Sequence, residues 1–220
     1  MDEILISDKI KNVLPGIQLG CLFAKVRVRP SSEELLGYIS QVVDSVRGSL
    51  TIELVSKVRV ITTTKDAYRK LGKDPSRYRP SAEALTRRIV QGKGLYRVNN
   101  IVDALNIISI KHGYSIGGYD HDKLDLPVEL GIGEAGEPYE AIGRGELNIE
   151  QMPVLRDASG AFGSPTSDSR RTMVRDSTRS FLMMFFDFQP AGLLEHVMQD
   201  TEHVLRKYCG VTRIETRICR

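Results

Sequence analysis

The stretch Asn99-Asn100-Ile101-Val102-Asp103-Ala104-Leu105-Asn106-Ile107-Ile108-Ser109-Ile110-Lys111-His112-Gly113, followed closely by Ile116-Gly117-Gly118-Tyr119-Asp120, marks the place where the chain changes character. Ile101, Val102, Leu105 and Ile108 recur at the spacing of one helix face, Ile110 extends the apolar run and Gly113 supplies a stop. The spacing therefore predicts a helix over 99–112. Asn99 or Asn100 suits its N-cap, because an asparagine oxygen accepts from a first-turn N–H that has no partner inside the helix. Asp103 falls in the first turn, where a negative charge meets the positive end of the helix dipole. Asn106 lies three residues further on, so the two share a face and can hold a polar group in a cleft, or they can simply fix the start of the helix. Beyond residue 116 the helical period is gone.

Upstream, an apolar strand is expected over 17–28 and a helix after Ser31-Ser32, with Glu34 three residues beyond Ser31 as in a capping box. A second helix is expected over 62–71, with Thr64 as N-cap and Gly72 as stop. Pro75 and Pro80 bound an irregular segment, and the helical pattern resumes at Ser81, runs over 82–91 and ends at Gly92 and Gly94. Downstream, short apolar runs at 128–132, 139–142, 154–155 and 173–188 are separated by Gly, Pro, Asp and Ser, which reads as mixed sheet. A last helix is expected over 193–208, and 211–219 alternates only in part. Helices cluster on either side of a strand-rich centre and do not alternate with strands. The fold class is therefore α+β, with mixed β-sheets packed with flanking helices, in one domain over 1–220. The glycines of 131–136 lead into no helix, which argues against a dinucleotide site.

Hydrophobic residues at 41% and charged residues at 27% match an ordinary globular chain and exclude a disordered one. The strongest apolar run, residues 181–186, is far short of a bilayer span and is closed by Asp187, so it reads as a buried strand with no membrane partner. Asp2 and Glu3 precede no apolar leader, so a cytoplasmic location is expected. Cys21, Cys209 and Cys219 are odd in number and scattered, as reduced buried thiols are. His112, His121, His196 and His203 show no ligand spacing, so neither metal nor cofactor is expected. A net charge of +3 does not by itself demand nucleic acid. Its distribution is uneven: between residues 69 and 97 there are nine basic and only two acidic residues, with Tyr68, Tyr78 and Tyr96 interleaved. Guanidinium groups beside aromatic faces suit single-stranded RNA ends, although solvated helix faces carry such clusters as well.

The run Tyr96-Arg97-Val98-Asn99-Asn100-Ile101-Val102-Asp103-Ala104-Leu105-Asn106, followed by Gly118-Tyr119-Asp120-His121-Asp122-Lys123-Leu124, resembles the signature of the B3/B4 (editing) domain of the phenylalanyl-tRNA synthetase β subunit. In that family an "NNVVDxxN" helix start leads to an "FDxDKL" turn at nearly the same spacing. Pro153-Val154-Leu155-Arg156-Asp157 and Phe162-Gly163-Ser164-Pro165-Thr166-Ser167-Asp168-Ser169 look like the family's strand, acidic turn and glycine-containing loop. The resemblance covers roughly 81–188. It implies a PheT/TilS-like three-layer β/β/α fold and a proofreading hydrolase that removes a wrongly attached amino acid, typically tyrosine, from tRNA. A freestanding relative would act in trans on mischarged tRNA, not on DNA, and would not itself charge tRNA.

Such a reaction needs a positioned water and a stabilised oxyanion. Gly117 and Gly118 offer a strand that a ligand can approach closely, although tight packing would use them equally. Gly143-Arg144-Gly145-Glu146 sets a cation and a carboxylate between glycines, and residues 164–169 supply hydroxyls on a loop; both can also be plain surface turns. The substrate-binding candidates are accordingly Asn106, Gly117, Gly118, Gly145, Ser164, Pro165, Thr166 and Asp168, with Glu146 as the catalytic group that orients water. Arg87, Arg88, Lys93 and Arg97 are the RNA-binding candidates. Two positions depart from the family: its "LHAFD" is Ile116-Gly117-Gly118-Tyr119-Asp120 here, so Gly117 replaces the pocket histidine, and Leu105 replaces a threonine. The competing class is a non-catalytic module that binds tRNA or an amino acid. An ordinary small-molecule esterase, a third class, would not need the basic segment.

Overall fold

The computed structural model describes residues 3–190 and 192–220. The chain opens with β1 (Ile4–Ile6), α1 (Asp8–Val13) and β2 (Gln18–Lys25). The helices α2 (Glu33–Ser49), α3 (Ile52–Val55), α4 (Arg59–Leu71), α5 (Ser81–Val90) and α6 (Asn100–His112) follow. Next come β3 (Ile116–Asp120), β4 (Val128–Ile132), β5 (Glu140–Ala141), β6 (Gly145–Glu146), β7 (Pro153–Asp157), β8 (Gly160–Gly163) and β9 (Ser180–Asp187). The chain closes with α7 (Leu194–Cys209) and β10 (Ile214–Cys219).

The apolar run foreseen as a buried strand is β9, buried at every position. Its period of two divides it between two cores. Phe181, Met183 and Phe185 face α2, α5, α6 and α7, while Leu182, Met184 and Phe186 face a second sheet. The first sheet has the order β10-β2-β9-β3 and is antiparallel throughout. The second has the order β1-β4-β7-β8 and is mixed, because β1 runs parallel to β4. Second sheet, first sheet and helices thus form the β/β/α layers, with Ala67 and Leu71 of α4 joining the core between the sheets.

The start of α6 explains the asparagine-rich motif. Asn99 caps the helix, its Oδ1 accepting from Ile101 N–H at 3.1 Å and Val102 N–H at 2.9 Å. Asn100 ties it to the segment after β2: its Nδ2 donates to the Arg27 carbonyl at 3.2 Å and its Oδ1 accepts from Arg29 N–H at 3.0 Å. Buried Asp103 accepts from Val98 N–H at 2.9 Å and from the Ser31 hydroxyl at 2.7 Å. The second motif is equally structural, since Asp120 accepts from Asp122 N–H and from the Thr178 hydroxyl.

Several local expectations shift. The N-cap of α2 is Ser32, whose Oγ accepts from Leu35 N–H at 3.3 Å, because Ser31 is engaged by Asp103. Thr64 is no cap: α4 begins at Arg59, and buried Thr64 donates to the Val60 carbonyl one turn back. Gly72 does stop that helix, at φ +90°. The elements β1, α1, α3 and β8 had no sequence expectation. Gly131 lies within β4 opposite Val154, where it belongs to a sheet. All three cysteines are free and buried, and Cys21 and Cys219, distant in sequence, bring their sulfurs within 3.9 Å across adjacent strands. Among the described residues no helix is long and apolar enough to cross a membrane.

Removing the Asp103 carboxylate orphans a partly buried amide and a partly buried hydroxyl together. Asp103→Ala is expected to lower the unfolding free energy by at least about 2 kcal/mol, read from urea denaturation, with Asp103→Asn losing less because it keeps one acceptor.

Candidate functional site

Where β3 forms an edge of the first sheet, a cleft of about 470 Å³ opens on the helix-facing side, within the ~300–1,000 Å³ range of small-molecule sites. Its walls follow from element periodicity. Ser81, Ala84 and Leu85 line it from α5, and Val102, Leu105 and Asn106 from α6, each a set at i, i+3 and i+4 on one helix face. Ile116 and Gly118, two apart on β3, form the floor. Tyr96, Val98, Ile142 and Arg144 border it, and residues 166–168 with Met173 and Val174 close it. Most of the lining is apolar.

The polar end is built around Asp168. Its Oδ1 accepts from the Tyr119 hydroxyl at 2.8 Å and its Oδ2 from Gly118 N–H at 3.1 Å. Enclosure of the carboxylate pushes it up to about 7, against the opposing pull of those two donors. Burial, with Asp168 alongside, likewise holds the Tyr119 phenol well above its ordinary value, so it remains a neutral donor. The loop that carries Asp168 is held from several directions. The Ser164 hydroxyl accepts from the amides of Thr166 and Ser167 and donates to the Ser167 carbonyl at 2.9 Å, and Tyr139 donates to that carbonyl at 2.6 Å. The Thr166 hydroxyl pairs with Tyr68 at 2.8 Å, and the Pro165 carbonyl accepts from Ser81 N–H at 2.8 Å. A carboxylate raised toward neutrality in a cleft is an electrostatic feature that functional positions share with buried structural networks.

Of the residues singled out from sequence, Asn106, Gly118, Thr166 and Asp168 meet in this cleft. The Asn106 carboxamide and the Ser167 hydroxyl make no hydrogen bond to another protein group among the described residues, whereas the Thr166 hydroxyl is committed to the framework. Ser164 and Pro165 brace the loop from behind. Gly117 points into the space between the sheets: a Cβ there would stand 1.8 Å from the Tyr119 hydroxyl. A side chain at Gly118 would require Leu105 to move, because its Cδ1 lies 2.5 Å from where the Cβ would be. Gly145 and Glu146 do not belong to the cleft; they line a separate groove with Glu137, Tyr139 and Asn148. The positive φ of Gly143 and Gly145 turns the chain between Arg144, at the cleft rim, and Glu146, so the two do not share a face.

The basic segment is largely occupied by structure. Buried Glu83 draws Arg87 to 2.8 Å, Lys65 to 3.5 Å and Arg79 to 3.9 Å. Lys73 donates to the Asn148 carbonyl and lies over the Tyr78 ring, and Arg69 pairs with Asp66. Arg88 lies over Tyr96 at the cleft mouth, and Lys93 and Arg97 are exposed. The sequence reading named Tyr96 only among the aromatics of the basic segment and did not single out Leu85 or Val102, yet the i, i+3, i+4 sets on α5 and α6 were available as a signal for the walls.

A family model described as the B3/4 domain matches residues 63–212, more than half of the chain. Among solved structures, an N-terminal fragment of the phenylalanyl-tRNA synthetase β-subunit from Pyrococcus horikoshii is similar at a TM-score of 0.50 and 13% identity. The match covers 99% of this chain and 54% of that one, so the chain spans about half of that fragment. At this identity the likeness concerns the fold. No curated protein matches.

The folded-state value of Asp168 lies above that of an unfolded aspartate, so the native chain binds the extra proton between about pH 4 and 7. Its contribution to stability is full below that window and is lost as pH rises through about 7. Asp168→Asn is therefore expected to flatten the pH dependence of unfolding across that interval. Tyr119→Phe, which removes a donor that favours the charged form, should move the Asp168 titration seen by carboxyl NMR above about 7.

Proposed function

Because the chain belongs to the B3/4 domain family, we propose that it hydrolyses the ester bond of a mischarged aminoacyl-tRNA, acting in trans at the 3′ end. The observation that carries this reading is the cleft itself, an apolar slot that contains one fixed carboxylate, Asp168. Apolar walls accept an aliphatic or aromatic amino-acid side chain. The RNA is too large to enter, so the side chain goes in first and its tip meets Asp168. A tip that carries a hydroxyl donates to the carboxylate. A tip without one covers the carboxylate's remaining acceptor sites and pairs none of them, leaving it only Tyr119 and the Gly118 N–H, a penalty that separates close analogues. Tyrosine is thereby favoured over phenylalanine as the amino acid removed.

With the tip at Asp168, the ester carbonyl lies nearer the mouth. Asn106 and Ser167 have the free polar groups that can hold a water against it. No histidine or cysteine lines the cleft among the described residues. The expected catalysis is therefore by positioning, with water as the nucleophile and Asp168 as a polar anchor for the side-chain tip, while the water-orienting role expected of Glu146 passes to Asn106 and Ser167. Arg144 at the rim and the exposed Arg97 and Lys93 are placed to meet RNA phosphates. Charged tRNA is the partner on this reading, and the cytoplasm the place of action.

Release of radiolabelled amino acid from a panel of mischarged tRNAs tests the reading. Wild type should release tyrosine from tRNA of the phenylalanine type faster than it releases phenylalanine. Asn106→Ala should slow release about tenfold or more by loosening the water, and Asp168→Asn should erode the preference for the hydroxyl. Absence of release from every member, alongside salt-dependent RNA binding, would reject hydrolysis and leave a tRNA-binding module.

A further inference from the structure

Tyr96 is the largest exposed hydrophobic side chain on the cleft border, with 65% of its surface open. Its ring is not loose: the Arg88 guanidinium carbon lies 3.9 Å from the ring centroid, and Arg88 Nη2 donates to the Lys93 carbonyl at 3.2 Å. One face of the ring is therefore covered by a cation that the 91–94 turn holds in place. The remaining exposure belongs to the other face and the ring edge. Val98 and Ile142, 59% and 43% exposed, continue the apolar border beside it. The backbone beneath is also fixed, since Val98 N–H donates to buried Asp103 at 2.9 Å. A planar ring backed by a guanidinium on a pinned segment is preorganised to receive a second planar group.

We propose that Tyr96, backed by Arg88, is a stacking platform for the 3′-terminal nucleoside of the RNA whose amino acid occupies the cleft. This rests on the proposed function, because it takes the amino acid to be esterified to RNA. The order of groups along the substrate then dictates the contact. An amino acid held with its tip at Asp168 puts its ester, and next the ribose and base, at the mouth, where Tyr96 stands. The 3′ end of tRNA is unpaired, so the base has a free face to offer, and stacking on an aromatic ring does not require a sequence-reading hydrogen bond. Arg97, next in the chain and exposed, is placed for the phosphate that follows. The amino acid's own ring is the other planar candidate, but it would have to leave the apolar slot to reach Tyr96.

The test compares two RNA hairpins, one ending in unpaired CCA and the other in CC followed by an abasic ribose, neither carrying an amino acid, by fluorescence anisotropy with the full chain. Wild type should bind the CCA hairpin more tightly. Tyr96→Ala should weaken that binding about tenfold while leaving the abasic hairpin unchanged, and Tyr96→Phe should retain it. Circular dichroism is expected to show the wild-type fold, since the side chain is largely exposed. Equal binding of the two hairpins by wild type, or no loss in Tyr96→Ala, overturns the platform. So does an equal loss in Tyr96→Ala of hydrolysis of a tyrosine methyl ester, which has no nucleoside. The two readings fail separately: discrimination between hairpins without any release of amino acid would reject hydrolysis and keep the platform, whereas release unaffected by Tyr96→Ala, with equal hairpin binding, would do the reverse.

Discussion

The carboxylate of Asp103 is the fixed point on which the arrangement of the cleft depends. It is buried at the start of α6, and its two oxygens bind elements that come from different parts of the chain: Ser31, just before α2, and Val98, in the segment before α6. Asn100 adds two bonds to Arg27 and Arg29 beyond the end of β2. Because a buried amide or carboxylate without a partner costs more than a made bond contributes, these contacts are effectively all or none. Their consequence is geometric. Once the first turn of α6 is set against β2, the face one turn on, Val102 with Leu105 and Asn106, must overhang β3, and Val98 carries Tyr96 to the border of the same space.

This also explains which parts of the site were legible in sequence. The asparagine and aspartate of the motif advertise themselves by residue type, yet they are structural, and only Asn106 reaches the cleft. The helices were visible because their apolar period is local, and β9 because an apolar run closed by Asp187 admits few other readings. What failed depended on distant partners. Ser31 satisfies the capping pattern as well as Ser32 does, and only the position of Asp103 decides between them. Thr64 resembles a cap until the preceding residues, with Val60 and Ile61 buried in the core, extend α4 toward Arg59. The short strands β1 and β8 are defined by pairing with β4 and β7, which a residue-by-residue pattern does not contain. Glu146 lies in a separate groove from Arg144, because the chain turns at the positive φ of Gly145 between them.

The basic segment teaches a related lesson about charge. Counted along the chain, its excess of cations points to an anionic partner. Counted in space, a single buried carboxylate, Glu83, is surrounded by Lys65, Arg79 and Arg87, and the Lys73 ammonium is turned onto a backbone carbonyl and a tyrosine ring. A buried carboxylate demands such compensation whatever the surface does. Among the described residues, the segment's cations without such a partner are fewer: Lys70, Arg77, Lys93 and Arg97 are exposed, and Arg88 lies over Tyr96 at the cleft border.

The exchange at Gly117 has the same character. Read as a position, glycine there removes a polar side chain from the neighbourhood of the site. Read as a volume, the space is filled by the Tyr119 hydroxyl, which lies 1.8 Å from the absent Cβ of Gly117 and 2.2 Å from that of Gly163. Two glycines on opposing sheets are thus the condition for a phenol to reach Asp168 through the core. The hydroxyl arrives from two residues further along the same strand face, since side chains at 117 and 119 point the same way. The tyrosine at 119 and the glycine at 117 are therefore coupled, because the phenol occupies the volume that a side chain at 117 would need. With its phenol held above its ordinary value, Tyr119 does not change charge in the range where Asp168 does. The protonation state of the cleft's polar end is left to the single carboxyl that lines it, Asp168.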